Sequence, residues 1–296
     1  MKLREVGEDR LLAQLLPMLC CNSSVVLGAG DDCAVVRCPR RDNLQLLKTD
    51  CIVEGIHFTA TSRPALVGWK AMARPLSDFA AMSGVPQFAL VTLIIPDERA
   101  LDWTKNIYRG LAKAARAFHV AIVGGETSNI KGPALISVSL TGFVEQRRWV
   151  SRDGGKAKDE LFVTGRLGGS LRGRHLKFTP RIEEARWLTK HFPIHAMMDL
   201  SDGLGADLPR LARASGVGFE VDENAIPRQR GCSISQAISD GEDYELLFAI
   251  SPRQSARLKK SWRRRFPKLP LTRIGRLRSS LVVGRSKLPP GYVHFQ

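Results

Sequence analysis

The spacing of apolar residues along the chain switches repeatedly between two periods. Apolar positions three to four residues apart predict amphipathic helices at 3–19, 63–84, 102–119, 179–192 and 203–216. Runs of aliphatic and β-branched residues predict strands at 44–53, 88–96, 120–125, 134–144, 161–165, 196–200 and 244–250. Predicted helices and strands therefore occur in both halves of the sequence.

This pattern lapses once, in EQRRWVSRDGGKAKDE at residues 145–160, where charges and glycines replace the apolar periodicity. A chain of 296 residues is long enough for two domains, because domains commonly run to roughly 100–200 residues. We therefore predict a first domain over 1–145 and a second over 146–296.

The chain is basic, with 45 Lys and Arg against 29 Asp and Glu and a formal net charge of +16. Such a surface attracts polyanions such as nucleic acid, or small phosphorylated substrates, and composition does not choose between them. The densest run, 253–268, places Leu258, Trp262 and Phe266 four residues apart, which predicts an amphipathic helix. Its Lys and Arg residues indicate a solvent-exposed face of this helix. The alternative is that they form a surface that binds nucleic acid.

Membrane spans and disulfides are not expected. No apolar run approaches the roughly 20 residues of a spanning helix, and MKLREVGEDR lacks the features of a signal peptide, so we expect a cytoplasmic protein. The six cysteines form no CxxC pair, so reduced thiols are expected, and their spacing does not suit a zinc finger.

Carboxylates recur beside glycines at the ends of predicted strands, and once inside a helix. They are Asp31, Asp32, Asp50, Asp78, Glu126, Asp199, Asp202, Glu242 and Asp243. Any single one could be a helix cap or a turn residue. Several that converge would repel one another unless a cation bridged them, and oxygen ligands suit Mg²⁺, which proteins commonly share with substrate phosphates. The set therefore predicts a magnesium-dependent site for a nucleotide.

The usual phosphate-binding loops are absent from the sequence. No G-x-x-x-x-G-K-[ST] occurs, and GAGDD breaks the G-x-G-x-x-G pattern at its final glycine. The phosphates would have to be held indirectly, through metal ions, with backbone amides and cations completing the site.

Eight short motifs occur in one order: GAGDDCAVV, KTDCIVEGIHF, GWKAMARPLSDFAAMSGVP, VGGETS, SRDGGK, DLSDGLGADL, GEDYELLF and GYVHF. In this set and order the chain resembles the thiamine-monophosphate kinases, within the aminoimidazole ribonucleotide synthetase-like superfamily. The resemblance covers nearly the whole sequence, and no single motif would establish it.

The resemblance implies an α+β fold of two layered domains. The N-terminal domain would form a dimer-spanning β-barrel with its twin in a homodimer, and a C-terminal mixed-sheet domain would complete the ATP and substrate site. It also implies direct in-line transfer of the ATP γ-phosphoryl group to thiamine monophosphate, with several Mg²⁺ ions. Since the attacking phosphate oxygen is already ionised at neutral pH, no strong general base is needed.

The resemblance also assigns roles by position. Magnesium ligation falls on Asp31, Thr49, Asp50, Asp78, Glu126, Asp199 and Asp202, with Asp32 as a helper. ATP contacts fall on Gly125, Glu126, Arg152 and Ser201, and contacts to the thiamine substrate on His57, Glu242 and Tyr292. Asp50 and Arg152 would be catalytic, since a guanidinium can hold the transferring group in line. Packing of the C-terminus is the alternative role for Tyr292.

Three positions depart from the family pattern: Lys48 replaces a small hydroxyl residue, Pro75 an asparagine and Glu126 an aspartate. An ammonium at position 48 could displace a Mg²⁺ ion or contact phosphate directly. The rival functions are a superfamily relative with another small substrate and, in a different class, a nucleic-acid-binding protein that uses residues 253–268.

Overall fold

The computed structural model describes residues 8–38, 42–279 and 288–292, which form two β-sheets with helices between and around them. The α-helices are α1 (Glu8–Leu15), α2 (Pro64–Ala81), α3 (Leu101–Ala117), α4 (Ile182–His191), α5 (Leu204–Ala214), α6 (Ile234–Ser239) and α7 (Pro252–Arg265). Short 3₁₀ turns lie at Leu16–Met18, Ser170–Arg172, Arg174–Leu176 and Glu223–Ala225. Among these described helices, none is long and apolar enough to cross a membrane.

The first sheet has six strands in the order β1-β2-β3-β6-β4-β5. They are β1 (Val25–Leu27), β2 (Ala34–Arg37), β3 (Asn43–Val53), β4 (Val85–Ile95), β5 (Ala121–Asn129) and β6 (Leu135–Glu145). Neighbours are antiparallel except β4 and β5, which are parallel and are connected through α3. β3 and β6 pair along their full length, and this long pairing fixes where each residue of β3 stands in the sheet.

The inner face of the first sheet carries α2 and α3 and forms the core of this half. β6 alternates strictly, with Ile136, Val138 and Leu140 buried on the inner face, as a strand covered on one side should. The two helices cross so closely that a Cβ on Gly68 would lie 2.0 Å from the carbonyl oxygen of Ile107. Only glycine permits this approach.

The outer face of the same sheet is apolar and exposed. Phe88 is 48% exposed, Leu90 49% and Val123 59%, and none of the helices in the described part of the chain buries them. The sheet is open in one chain, because β1 and β5 are both edge strands. A dimer-spanning barrel would need a second copy.

The second sheet has five strands in the order β8-β10-β7-β11-β9, all pairs antiparallel. They are β7 (Glu160–Thr164), β8 (Ile194–Asp199), β9 (Gly218–Val221), β10 (Leu246–Ile250) and β11 (Leu271–Arg278). The prediction of a mixed sheet here is wrong. β10 lies between β7 and β8, so these two strands, which run in the same direction, never pair with each other.

Helices cover both faces of the second sheet. α5 and α6 pack on one face, and α4 and α7 pack on the other. β10 is therefore buried at every position, and Phe162 stacks on Phe248 at 5.6 Å between ring centroids. The chain is thus a mixed helix-and-sheet protein with two sheets, and the boundary near residue 145 stays a prediction.

α2 joins the two halves. Thirteen of its residues are buried, and its Ser77 hydroxyl donates to Asp199 at the end of β8 (2.5 Å). On α4, Arg186 donates to the carboxylate of Glu145 and to the carbonyl oxygen of Ser83. These contacts fix the ends of the two sheets against each other and so position the residues between them.

Candidate active site

Two cavities open between the halves and share Ser201 and Asp202 as a common wall. The larger, about 600 Å³, is called the acidic cleft here, because Asp31, Asp32, Asp78, Asp202 and Asp207 line it. The smaller, about 130 Å³, is called the side pocket and is lined among others by His57, Arg74, Glu242, Tyr244 and Tyr292. Two ligands could therefore lie side by side across one loop.

Three carboxylates come together beside the acidic cleft, and two of them, Asp32 and Asp78, line it. Asp32 precedes β2, Asp78 lies on α2 and Asp199 ends β8; each offers an oxygen within 4.8 Å of the others, and all three are buried. Within the described residues, Oδ2 of Asp32 is buried and has no hydrogen-bond partner. Three buried carboxylates, one of them with an unpartnered oxygen, fit a divalent cation, and the all-oxygen donor set suits Mg²⁺.

Three carboxyl groups at this site have raised pKa values. Burial, with the charge of Asp32, raises the pKa of Asp199 to about 7. Burial raises the pKa of Asp78 well above its usual value, although the Lys48 ammonium opposes this. Burial and Asp32 raise the pKa of Asp31 to about 6. A bound cation would favour the ionised carboxylates, since an opposite charge stabilises the charged form.

Arg152 holds the turn that carries Asp31 and Asp32. Its backbone N–H donates to Asp31 Oδ2 (3.0 Å), and its guanidinium donates to Asp32 Oδ1 (2.5 Å). The Asp32 N–H donates to Asp31 Oδ1 (2.8 Å), which fixes the turn locally. The structure thus brings these three predicted residues together, and Arg152 crosses from the second half to reach them.

β3 sends alternate side chains to opposite faces of the first sheet. Lys48 and Asp50 point inward, where Lys48 Nζ lies 2.8 Å from Asp78 Oδ1 and Asp50 Oδ1 lies 3.3 Å from Arg74 Nη2. Thr49 is exposed on the outer face and accepts a hydrogen bond from the Ser139 hydroxyl (3.1 Å). The structure therefore does not bring the Thr49 side chain to the carboxylate cluster, because strand residues alternate in direction.

β5 places Gly125 and Glu126 at the far edge of the first sheet. Three strand spacings separate β5 from β3, which is roughly 14 Å. A Cβ at Gly125 would lie 1.8 Å from the Val91 carbonyl oxygen, so only glycine allows the backbone of β5 to come this close to β4. Glu126 is exposed and accepts from the Thr127 N–H. Within one chain, neither residue joins the cluster.

The shared wall is fixed by α5. Asp202 accepts a hydrogen bond from Arg210, and its N–H donates to Asp207 Oδ2 (3.0 Å). Burial, with the charge of Asp202, raises the pKa of the fully buried Asp207 to about 8. Ser201 lies in the same loop, and its carbonyl oxygen accepts from the Glu242 N–H (2.6 Å). The predicted residues Ser201 and Asp202 thus stand at the junction of both cavities.

The carboxylate of Glu242 is held from two sides. Lys70 Nζ lies 2.7 Å from both of its oxygens, and His175 Nδ1 lies 2.8 Å from Oε2. Lys70 also donates to the His57 carbonyl oxygen (2.7 Å). Glu242 and Tyr244 both have positive φ, 53° and 51°, so the surrounding contacts hold this loop in a conformation that non-glycine residues rarely adopt.

Aromatic and imidazole groups complete the side pocket. Tyr292 lines it, half exposed, and its N–H donates to the Asp202 carbonyl oxygen (2.8 Å). His57 lines it and accepts from the Val53 N–H at Nδ1 (3.1 Å). Tyr244 stacks on Phe178 at 3.8 Å between centroids. The predicted substrate contacts Glu242, His57 and Tyr292 are therefore brought to one pocket.

Several residues of the site were not predicted: Lys70, Arg74, Ser77, His175, Asp207 and Arg210. A signal for three of these residues was present in α2, beside the predicted Asp78. Lys70, Arg74, Ser77 and Asp78 stand at i, i+4, i+7 and i+8, so a polar stripe runs along one face of a helix that is otherwise apolar. No comparable pattern marks His175, which lies in a short 3₁₀ turn.

The arrangement can bind phosphates beside a flat organic group. The acidic cleft offers carboxylates for divalent cations and, in Arg152 and Lys48, donors for phosphate oxygens. The side pocket offers aromatic faces and contains the carboxylate of Glu242, whose charge Lys70 neutralises. This geometry suits reaction between a nucleotide and a second phosphorylated molecule at the shared wall.

Family profiles match both halves of the chain. AIR synthase related protein, N-terminal domain, matches residues 30–144, and AIR synthase related protein, C-terminal domain, matches residues 136–275. Thiamine-monophosphate kinase of Rhodopirellula baltica is 38% identical, over 91% of this chain and 92% of the relative. Thiamine-monophosphate kinase of Aquifex aeolicus is 33% identical over the full length of both.

Solved structures of similar proteins superpose on this chain. The structure of AaThiL complexed with AMPPCP and TMP is 33% identical and superposes with a TM-score of 0.85, covering 99% of each chain. Escherichia coli HypE, a hydrogenase maturation protein, is 18% identical with a TM-score of 0.70 and shares the fold. By sequence over nearly its whole length, this chain belongs to the thiamine-monophosphate kinase family of AIR synthase related proteins.

Proposed function

We propose that this chain transfers the γ-phosphoryl group of ATP to thiamine monophosphate, yielding thiamine diphosphate and ADP. The observation that carries the proposal is the buried triad of Asp32, Asp78 and Asp199 beside a nucleotide-sized cleft that shares a wall with a small pocket. Family membership supports it, since the relatives are thiamine-monophosphate kinases and one related structure contains AMPPCP and TMP.

Mg²⁺ is the cation we propose for the triad. Asp32, Asp78 and Asp199 would hold it. Asp31 and Asp202 line the same cleft, and we propose that they and Asp50 extend the set. Bound there, magnesium would offset the repulsion between two phosphorylated substrates and stabilise the charge that develops on the transferred group.

The residues of the chain bind and position the substrates. Arg152 is anchored by Asp31 and Asp32, so its guanidinium is held at the cleft wall in a fixed orientation toward phosphate oxygens. No residue needs to remove a proton, because the second ionisation of a phosphate monoester occurs near pH 6. Catalysis then rests on alignment of the attacking oxygen and on charge neutralisation.

The side pocket would take the rings of thiamine monophosphate. Tyr292 and Tyr244 present aromatic surface that can lie against cationic rings, and His57 closes the pocket. Because Lys70 already neutralises the charge of Glu242, Glu242 would mainly shape the pocket wall and would contribute less to attracting the positive charge of the substrate rings. The substrate phosphate would then point across Ser201 and Asp202 into the acidic cleft.

Dimerisation through the outer face of the first sheet is part of this proposal. The exposed side chains of Phe88, Leu90 and Val123 form apolar surface of the kind that a second subunit covers. Glu126 lies on the edge strand β5 and Thr49 on the outer face, so their predicted roles depend on such a partner. The two domains predicted to meet near residue 145 would both contribute to each site in a cytoplasmic enzyme.

The test is direct conversion. Purified protein with ATP, Mg²⁺ and thiamine monophosphate should form thiamine diphosphate and ADP in equal amounts, measured by chromatography of both products, and EDTA should stop the reaction. Free thiamine should not react, because its hydroxyl lacks an ionised phosphate oxygen. ADP formation only with a different phosphorylated acceptor would identify a superfamily relative. Salt-sensitive binding of nucleic acid without any ATP turnover would favour the nucleic-acid alternative.

A further inference from the structure

Lys48 places an ammonium group within the carboxylate cluster. Its Nζ lies 2.8 Å from Asp78 Oδ1, one of the three residues of the triad, and its side chain is 23% exposed. Because Lys48 points inward from β3, two residues before Asp50, the strand holds it against α2. The contact is therefore built into the sheet and does not depend on a flexible surface segment.

The ammonium of Lys48 remains charged in this position. An amine is ordinarily protonated at neutral pH, and the Asp78 carboxylate 2.8 Å from Nζ favours the charged form further. A charged ammonium has no lone pair and cannot be a metal ligand. It occupies one oxygen of Asp78 and repels any divalent ion that approaches that oxygen.

Two further cations near the carboxylate cluster already have carboxylate partners. Arg152 pairs with Asp31 and Asp32, and Arg74 pairs with Asp50 and donates to the Cys51 carbonyl oxygen (3.0 Å). Asp199, by contrast, receives a hydrogen bond from the neutral Ser77 hydroxyl, and Asp32 retains a buried unpartnered oxygen. Asp32 thus keeps Oδ2 open to a divalent ion beside Asp199, although Arg152 holds its Oδ1, while the ammonium of Lys48 already occupies Oδ1 of Asp78.

We propose that Lys48 is a fixed cation that takes the place of one divalent ion at Asp78. The acidic cleft would then hold one ion fewer than the same cleft with a neutral residue at position 48. Since Lys48 also lines the cleft and Nζ has three donors, it would give a remaining N–H to a phosphate oxygen of the nucleotide. This inference rests on the proposed magnesium and nucleotide site.

The first test counts ions. Mn²⁺ binding to the wild type, Lys48→Thr and Lys48→Met is measured by equilibrium dialysis with saturating AMPPCP, with the exposed Lys105→Thr on α3 as the matched control. We expect both Lys48 variants to bind one more ion per chain and Lys105→Thr to match the wild type. An equal number of bound Mn²⁺ ions in the wild type and both Lys48 variants would overturn the proposal. The methionine variant is included so that the test remains possible if the threonine variant folds poorly.

The second test measures stability without any substrate. In EDTA, Lys48→Met should have a lower thermal midpoint than the wild type, because Asp78 loses its buried counter-charge. Added Mg²⁺ should raise that midpoint by more in Lys48→Met than in the wild type, since an ion now binds where the ammonium stood. An equal Mg²⁺-induced shift in both proteins would contradict the proposal.

These measurements separate two kinds of failure. If ion number and the Mg²⁺ shift change as expected but thiamine monophosphate is not converted, the proposed substrate is wrong and the role of Lys48 stands. If thiamine monophosphate is converted but ion number and the Mg²⁺ shift do not respond to position 48, the proposed function stands and the role of Lys48 is wrong.

Discussion

Lys70 Nζ lies 2.7 Å from both carboxylate oxygens of Glu242, and this ion pair joins residues 172 positions apart in the chain. Lys70 belongs to α2 in the first half and is fully buried, whereas Glu242 belongs to a loop of the second half. The same ammonium donates to the His57 carbonyl oxygen. One buried charge pair therefore sets the distance between two walls of the side pocket.

Glu242→Gln should show what this pair contributes. Burial alone would raise the pKa of Glu242, but hydrogen bonding from His175 and the charge of Lys70 outweigh it and lower the pKa from 4.5 to about 2. A depressed carboxyl pKa stabilises the folded state above pH 4.5, and this stabilisation is lost as pH falls toward 2. We expect Glu242→Gln to lose about 3 kcal/mol of unfolding free energy at pH 6–7.

The pH profile of urea unfolding checks this. The difference in unfolding free energy between the wild type and Glu242→Gln should decrease steadily below pH 4.5. A difference that stays constant down to pH 2.5 would rule out the ion pair as its source. A double variant, Lys70→Met with Glu242→Gln, serves as control. It should be more stable than Glu242→Gln alone, because no unpaired ammonium is left buried.

Asp50→Asn should fold normally and lose nearly all phosphoryl transfer. Asp50 stands beside the triad on the inner face of β3 and pairs with Arg74, and the amide removes its charge with little change of shape. Circular dichroism reports folding, and ADP release with thiamine monophosphate reports activity. Asp97→Asn, at an exposed position outside both cavities, is the matched control. Wild-type turnover in Asp50→Asn would remove Asp50 from the catalytic set.

Gly110→Ala should destabilise the first half through the crossing of α2 and α3. A Cβ at Gly110 would lie 2.0 Å from the carbonyl oxygen of Ala65, and backbone cannot move away without separating the helices. We expect a loss of about 3 kcal/mol, at the upper end of overpacking costs. Gly28→Ala, where an added Cβ meets only ordinary contacts, should leave the urea midpoint nearly unchanged. Similar midpoints for the two variants would mean that the helices separate at little cost.

Charge on the outer face should prevent dimerisation. Phe88→Glu combined with Leu90→Glu places two carboxylates on exposed apolar positions of β4, and we expect a dimer to become a monomer in sedimentation velocity. Leu101→Glu is the control, since Leu101 is 68% exposed at the start of α3 and away from that face. A monomeric wild type, or a variant that stays dimeric, would show that this face is not the interface.

Sequence patterns located the long elements because burial imposes their period. α7 is one example: Leu258 and Trp262 are buried on one face while its cations are exposed, as predicted. The sequence patterns do not predict β1 and β2, because strands of three or four residues show too little alternation of apolar and polar positions to be recognised. They do not predict β11 because arginines interrupt its apolar positions. α2 was predicted to continue through Pro75, and it does.

The carboxylates of the site were predictable because strand ends and glycines mark them, whereas their partners were not. The sequence pattern predicts that Lys70 lies in a helix, but only the packing of α2 against the second half reveals that it reaches Glu242. The predicted metal role of Thr49 came from its place in a motif. That motif does not show which face a strand residue occupies until the pairing of β3 with β6 is known. Glu126 likewise depends on contacts beyond one chain.

The loop of Ser201 and Asp202 forms a wall of both cavities, and this has a thermodynamic consequence. Because both ligands would contact this one loop, a ligand in either cavity can change the affinity of the other cavity through Ser201 and Asp202. Linkage requires the effect to be reciprocal: the factor by which nucleotide tightens acceptor binding equals the factor by which acceptor tightens nucleotide binding. Heterotropic cooperativity would then arise from two residues, without movement of the domains.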